Sequence, residues 1–404
     1  QDVGTARYIS TLSTSVDSWI IDGKKVQSTQ KPTIVSSTLT WEKVTTLDLG
    51  LDARFFNDAL GVTFDWYNRT TSDILTTANL PATLGADAPY ENMGTIQTKG
   101  WELAIDYRHT FKNGLHFGVT ASVADDKTEV TKWTYNTKIP SYGATGWWDK
   151  SAYKEGMVLG DIWGLRFDRF LTEDDFNADG SLKAGLPDQT KVFPAGYQFA
   201  PGDVLYKDLD NNGEIVKQTN TNDKGDLSVI GNALPRLQFG LNLDAAWKGF
   251  DISMFFQGVA KRKLWAAGNQ VLPGFTTGEP FYKGAEDYWT PENTDAFYPR
   301  PMDYKQSASG NYSVNDRYLL NMAYLRLKTF TVGYSLPKVW LSKFKVQGLR
   351  VYFTGENLFT IDGVKPAIDP EIGIRTASGK SDQRNFGRSY PYQKTVSFGI
   401  QLSL

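Results

Sequence analysis

Through much of the chain apolar and polar residues alternate one by one, the mark of strands with one oily face and one polar face. Leu47, Leu49, Leu51, Ala53 and Phe55 alternate with Asp48, Gly50, Asp52 and Arg54. Trp101, Leu103, Ile105 and Tyr107 alternate with Glu102, Ala104, Asp106 and Arg108, and Phe117, Val119, Ala121 and Val123 with Gly118, Thr120 and Ser122. The pattern returns at Leu237, Phe239, Leu241, Leu243, Ala245 and Trp247, and closes with Val396, Phe398, Ile400, Leu402 and Leu404. It predicts strands at 47–55, 62–75, 98–111, 116–130, 235–247, 251–262, 324–336, 349–359 and 394–404, with one or two more near 6–20. One strand changes phase: Leu325 and Leu327 share a face, then Phe330, Val332, Tyr334 and Leu336 share the other. A β-bulge near Lys328 and Thr329 would reset it.

A soluble β-sandwich alternates in the same way, so a sandwich glycan-binding module is the competing expectation. Strand length and connections favour a membrane wall. Runs of about 9 to 14 residues match tilted bilayer-crossing strands better than the shorter strands of globular proteins. Short connections at 56–61, Lys112-Asn113-Gly114, Lys248-Gly249 and 337–348 alternate with long ones at 79–97, 131–156, 263–322 and 360–393. That asymmetry fits an antiparallel transmembrane β-barrel with tight periplasmic turns and long external loops. With the short turns periplasmic, the C-terminus lies on the periplasmic side. Residues 131–234 then hold an even number of crossings, none or two. Trp41, Trp66, Trp101, Tyr107, Trp247 and Tyr352 fall toward strand ends, where a bilayer's interface would receive them.

Composition narrows the chemistry. Lys+Arg total 43 against 45 Asp+Glu in 404 residues, leaving no positive surplus for a nucleic-acid partner. There is no Cys, and His109 and His116 are the only histidines, which removes thiolate sites and leaves almost nothing for His-based catalysis. With 12 Trp, 20 Tyr, 23 Phe and 37 Gly at a mean hydropathy of −0.39, the chain is aromatic without being oily. No stretch reaches the roughly 20 apolar residues of a membrane-spanning helix. Starting at Gln1 without a signal-peptide pattern, it reads as a mature or cut piece.

Several segments resemble the C-terminal half of the SusC-like family of TonB-dependent outer-membrane transporters. They are TWEKVTTLDLGLDARFF at 40–56, VTFDWYNRTTSDIL at 62–75, ENMGTIQTKGWEL at 91–103 and PGDVLYKDLDNNGEI at 201–215. VIGNALPRLQFGLNLDAAWKGFDISMFFQGV at 229–259, YLRLKTFTVGYSLP at 324–337, LRVYFTGENLF at 349–359, DPE at 369–371 and YPYQKTVSFGIQLSL at 390–404 continue it. Thr98 departs from the family's usual Asn, and Leu404 from its frequent terminal aromatic. The resemblance implies a share, nine to eleven strands, of a barrel of about 22 strands. Nothing in the chain resembles the plug or a TonB-interacting segment, so residues 1–404 read as the C-terminal part of such a barrel. The implied function is import of a bulky nutrient, an oligosaccharide or a peptide, by a non-enzyme in the outer membrane of a Gram-negative bacterium. A SusD-like surface lipoprotein would act as lid, with TonB acting through a plug on the remainder of the transporter.

Candidate sites follow from local chemistry. Asp208, Asp210, Asn212 and Glu214 space oxygen ligands like the first half of a calcium loop, with Gly213 at the turn. Thr219 stands where the late Glu belongs, although Asp223 and Asp226 could supply late ligands; the simpler expectation is an Asx-rich turn. No cofactor is required, and Ca2+ would be structural. Trp147, Trp148, Trp265, Tyr288 and Trp289 fall in predicted outer loops, where aromatic rings could stack on a substrate or pack loop on loop. Asp125-Asp126 and Asp174-Asp175 read as solvated charge, and 338–347 as a short amphipathic segment or an extended turn.

Overall fold

The computed structural model describes residues 9–29, 34–77, 88–134, 153–217, 225–266, 268–275, 281–302, 310–341, 346–365, 368–371, 376–377, 380–381 and 390–403. One ten-stranded antiparallel sheet dominates. Its strands are β1 (Lys43–Phe55), β2 (Leu60–Thr77), β3 (Tyr90–Thr110), β4 (His116–Trp133), β5 (Arg236–Trp247), β6 (Phe250–Lys261), β7 (Tyr324–Ser335), β8 (Gly348–Glu356), β9 (Thr360–Asp362) and β10 (Thr395–Ser403). Spatial order is β10-β8-β7-β6-β5-β4-β3-β2-β1, an up-and-down meander; β9 pairs the start of β7 where β8 has ended. The sheet is not closed. A separate hairpin, Thr14–Ile21 with Lys24–Thr29, turns at Asp22-Gly23 with both residues at positive φ (50° and 76°).

The alternation becomes two faces of opposite character. In β1, Leu47, Leu49 and Leu51 stay 54–60% exposed, and in β10 Phe398 is 83% and Ile400 73% exposed. A sandwich would bury such a face against a second sheet; among the described residues no sheet covers it, so the sandwich expectation falls. The opposite face carries polar cross-strand bonds: Arg54 Nη1 donates to Asp106 Oδ2 at 2.8 Å, Thr63 Oγ1 to Asp52 at 2.7 Å, and Arg350 holds Asp251 through two nitrogens at 3.0 and 2.5 Å. Short turns sit at one end. Lys248-Gly249 is a two-residue hairpin turn with φ of 47° and 89°, the doubly positive geometry that matches strand twist. The connection after β7 contains a single helical turn, Lys338–Leu341, so the amphipathic expectation there becomes one turn of helix.

Four strands run longer than the periodicity predicted, β1 among them, which begins at Lys43 and not at 47. β2 and β4 have 18 residues and β3 has 21, so residues 90–97 belong to a strand and not to the loop expected at 79–97. Bulges at Thr71 to Leu75 and between Thr95 and Ile96 break the alternation that would have shown this. The expected bulge in β7 is present: Phe255 pairs Thr329 while the next residue, Phe256, pairs Leu327, leaving Lys328 as the extra residue. Between β4 and β5 no strand is inserted, because the two pair directly, Val123 opposite Phe239; among described residues 131–234 makes no crossing.

Because side-chain period is two, losing the extra residue would move Tyr324, Arg326 and their neighbours to the opposite face. Deleting Lys328 is expected to abolish assembled barrel, seen as loss of the heat-modifiable band on a gel, whereas Lys328→Ala keeps it.

Candidate functional site

At the end of the sheet opposite the short turns, the described parts of the long connections 134–235 and 262–323 fold into units of their own. Short strand pairs frame them: Asp161–Gly164 with Ser228–Asn232, Phe167–Phe170 with Val204–Tyr206, and Lys263–Leu264 with Leu320–Asn321. Among the described residues, most of the buried apolar side chains lie here. One cluster joins Ile162, Leu264, Trp265, Leu272, Tyr298, Tyr312, Tyr318 and Met322; another joins Leu165, Phe170, Phe193, Tyr206, Leu227 and Trp289.

Buried charge binds the units together. The Asp203 side chain, fully inaccessible, accepts Arg300 Nε at 2.8 Å, Tyr197 Oη at 2.9 Å, Asn311 Nδ2 at 2.9 Å and the Ala200 N–H at 2.9 Å. Arg317 lies 4.3 Å from the Phe167 ring centre and 4.9 Å from that of Phe170, and donates to the carbonyls of Ala296 and Phe297. Asp175 binds Arg169 through both oxygens, at 2.5 and 2.7 Å, and the Arg169 guanidinium holds the carboxyl down at about 2.

A second charged knot ties the last long connection to the polar face of β7. Arg326, only 4% exposed in its side chain, donates to Asp369 at 2.7 Å and to Glu371; Lys328 reaches both oxygens of Glu371 at 3.1 Å, and Tyr324 Oη donates to Glu371 at 2.9 Å. Burial alone would raise the Asp369 carboxyl, but bonds from Arg326 and from the N–H groups of Glu371 and Tyr392 outweigh it and hold the group below the usual range. Tyr392 caps the knot with its ring 5.3 Å from the Arg326 guanidinium.

Of the sequence-derived candidates, Trp147 and Trp148 lie outside the described residues. Trp265 (3% exposed) and Trp289 (7%) are packed inside the loop cores, with the Trp289 ring against Gly202. Tyr288 is 40% exposed and lines a pocket of about 540 Å3 with Pro273, Phe281, Tyr282, Lys283 and Glu286, floored by Tyr298 and Tyr312. Composition placed aromatics in these loops but carried no signal for which would be buried.

The calcium-like loop converges differently from its linear spacing. Ligand oxygens of Asp208, Asp210 and Asp226 lie within 4.8 Å of one another. Glu214 pairs instead with Lys191, and Asn212 Oδ1 accepts the Glu214 N–H at 2.7 Å. Asp208 accepts the N–H of Asn211 and Gly213, and fully buried Asp226 those of Leu209 and Val216. Burial raises the Asp226 carboxyl; its two backbone bonds pull it back, and the charges of Asp210 and Asp208 push it up again.

Comparison with known proteins decides the family. The family described as TonB dependent receptor-like, beta-barrel matches residues 6–358. The chain belongs to that family. TonB-dependent receptor P3 of Formosa agariphila is 27% identical over 395 residues, covering 95% of this chain and 36% of the relative. TonB-dependent receptor SusC of Bacteroides thetaiotaomicron is 24% identical over 391 residues, covering 95% and 34%. The solved RagAB peptide transporter superposes with a TM-score of 0.67 at 19% identity, covering 99% of this chain and 39% of that one. The chain therefore spans about a third of the length of the curated relatives it matches. Its SusC-like, all-β barrel character is established, and the matched relatives are named as receptors, not enzymes.

Two outcomes are expected. Arg326→Ala leaves the buried Asp369 without its cation, while Glu371 keeps Lys328 and Tyr324, and should cost about 3 kcal/mol, read as protease sensitivity of the connection between β9 and β10. The Asp175 carboxyl is depressed, so its contribution is complete above its unfolded value of about 4 and is lost as pH falls toward 2. Hydrogen-exchange protection over residues 167–176 should fall across that window and become pH-independent in Asp175→Asn.

Proposed function

We propose that this chain is the C-terminal wall and outer-loop assembly of an outer-membrane TonB-dependent importer for a bulky nutrient, an oligosaccharide or a peptide. The observation that carries the proposal is the pairing of an uncovered apolar sheet face with a structured loop assembly at one end of the same meander. Lipid takes the apolar face, since a surrounding bilayer gains from contact with Leu47, Leu49, Leu51, Phe398 and Ile400. The long loops then face the outside and the C-terminus the periplasm. The remainder of the transporter supplies the plug and further strands, TonB acts through that plug, and a SusD-like lipoprotein closes over the loops. Polar side chains on the inner face guide solute past the wall; none is assigned a chemical step.

A structural Ca2+ at Asp208, Asp210 and Asp226 belongs to the same proposal. Three carboxylates within 4.8 Å repel one another, and a hard cation would relieve that repulsion and stiffen the loop. Calcium should then slow hydrogen exchange across the described parts of 208–226 in the wild-type protein and not in Asp210→Asn; equal exchange with and without calcium contradicts it.

Deleting the locus, or tonB, should each abolish growth on the one nutrient the transporter takes up and leave growth on monomeric carbon sources unchanged. Uptake unchanged in both strains would refute the importer.

A further inference from the structure

The pocket beside Tyr288 has a lining that discriminates between ligand chemistries. Phe281 is 60% exposed, Tyr282 38% and Tyr288 40%, so three rings are open to a partner along one rim. The volume, about 540 Å3, is that of a site for a small ligand or for a few residues of a larger one. Its floor is built in advance. Tyr298 is buried, donates its hydroxyl to the Val271 carbonyl at 3.1 Å, and stacks on Tyr318 with ring centres 6.0 Å apart at 11°. Tyr312 meets the same Tyr318 edge-on at 5.4 Å, and burial pushes the Tyr298 hydroxyl up to about 12, so the floor stays neutral. No loop ordering at the floor has to be repeated on binding, which lowers the entropic cost of association.

A sugar ring needs, besides a stacking face, planar polar side chains that take up its many hydroxyls, because each hydroxyl buried without a partner costs free energy. Among the described residues this lining has Glu286 as its one planar polar side chain and no Asn, Asp, Gln or Arg; it offers prolines at 273, 299 and 301 together with the aromatic rings. A lining of prolines and aromatic rings suits an extended peptide, whose apolar side chains and proline rings pack against such surfaces. The two charged residues on the lining, Lys283 and Glu286, have opposite signs and match the carboxylate and ammonium groups that a peptide carries together.

We propose that this pocket is an outer subsite for a peptide segment bearing apolar side chains or proline. The assignment rests on the importer reading and names the class of solute that the outer loops engage first. Phe281 and Tyr288 supply the contact area, and Lys283 and Glu286 set orientation.

The test uses the full-length transporter purified in detergent and three probes: the hexapeptide Gly-Ser-Phe-Pro-Leu-Ser, its all-polar counterpart Gly-Ser-Ser-Gly-Asn-Ser, and maltohexaose. Calorimetric titration should show binding of the first alone, weakened about tenfold in the Phe281→Ala/Tyr288→Ala double variant. Both rings are exposed, so the double variant is expected to fold, and its heat-modifiable band checks that. Lys283→Ala, which leaves every ring in place, should weaken the same peptide several-fold. Maltohexaose binding that falls in the double variant overturns the peptide assignment, as does apolar-peptide binding that the double variant leaves unchanged. Loss of lipoprotein copurification in the double variant with peptide affinity intact also overturns it, making the pocket the lid's seat. TonB-dependent uptake in the same strains is scored separately: normal uptake with no pocket-dependent peptide binding sinks the subsite alone, and absent uptake with pocket-dependent binding sinks the importer alone.

Discussion

Every backbone N–H and C=O that meets lipid has to be bonded within the protein, because hydrocarbon offers nothing in exchange and each orphaned group costs several kcal/mol. The meander satisfies this strand by strand: each of β2 to β8 is hydrogen-bonded on both sides, and consecutive strands are spatial neighbours. From that constraint follow the two-residue alternation, the tight turns at Lys248-Gly249 and Asn113-Gly114, and the handling of register at Lys328. The outward edges of β1 and β10 have no partner among the described residues, and both strands carry exposed apolar side chains, among them Leu49 and Phe398. In the proposed transporter both edges are completed by other strands of the same barrel.

A wall that presents its oily residues outward cannot use them to form a core, and this shapes the rest of the molecule. The tightly buried side chains lie mainly in the long connections, around Trp265, Tyr318 and Met322 and around Leu165, Tyr206 and Trp289. These segments fold by the ordinary rule of apolar burial, with Asp203, Arg317 and the Arg326 knot joining distant stretches. The loops are thus built to hold shape. A preformed outer surface is what a capture site needs, whereas the wall needs only continuity and polarity on its inner face.

The wall was largely legible in sequence because strand period and side-chain polarity report the same thing at every position. Even the phase change between Leu327 and Phe330 located the extra residue. The outer ends of β2 and β3 were hidden because bulges at Thr71 to Leu75 and at Thr95 interrupt that period while the pairing continues. The loop units were not legible, since their short strand pairs join stretches such as 161–164 and 228–232 across more than sixty residues of irregular sequence. For Trp265 and Trp289 the sequence left stacking on a substrate and packing loop on loop both open, because composition does not encode which ring is covered; both are packed. In the acidic loop Asp226, one of the two late carboxylates the sequence offered, lies beside Asp208 and Asp210, while the Glu214 side chain pairs with Lys191. The Arg326 knot was missed because its partners are some forty residues downstream.

In the proposed transporter one face of this sheet meets lipid and the other an aqueous interior. The sequence has no Cys, so single cysteines can be placed and spin-labelled along β5 from Phe239 to Ala245 without native thiols of this chain competing. In reconstituted full-length transporter, accessibility to oxygen should peak at Phe239, Leu241, Leu243 and Ala245. Accessibility to a water-soluble nickel chelate should peak at Gly240, Asn242 and Asp244, giving two profiles of period two in opposite phase. Profiles in phase with each other, or oxygen accessibility no higher at the apolar positions, would contradict a membrane wall.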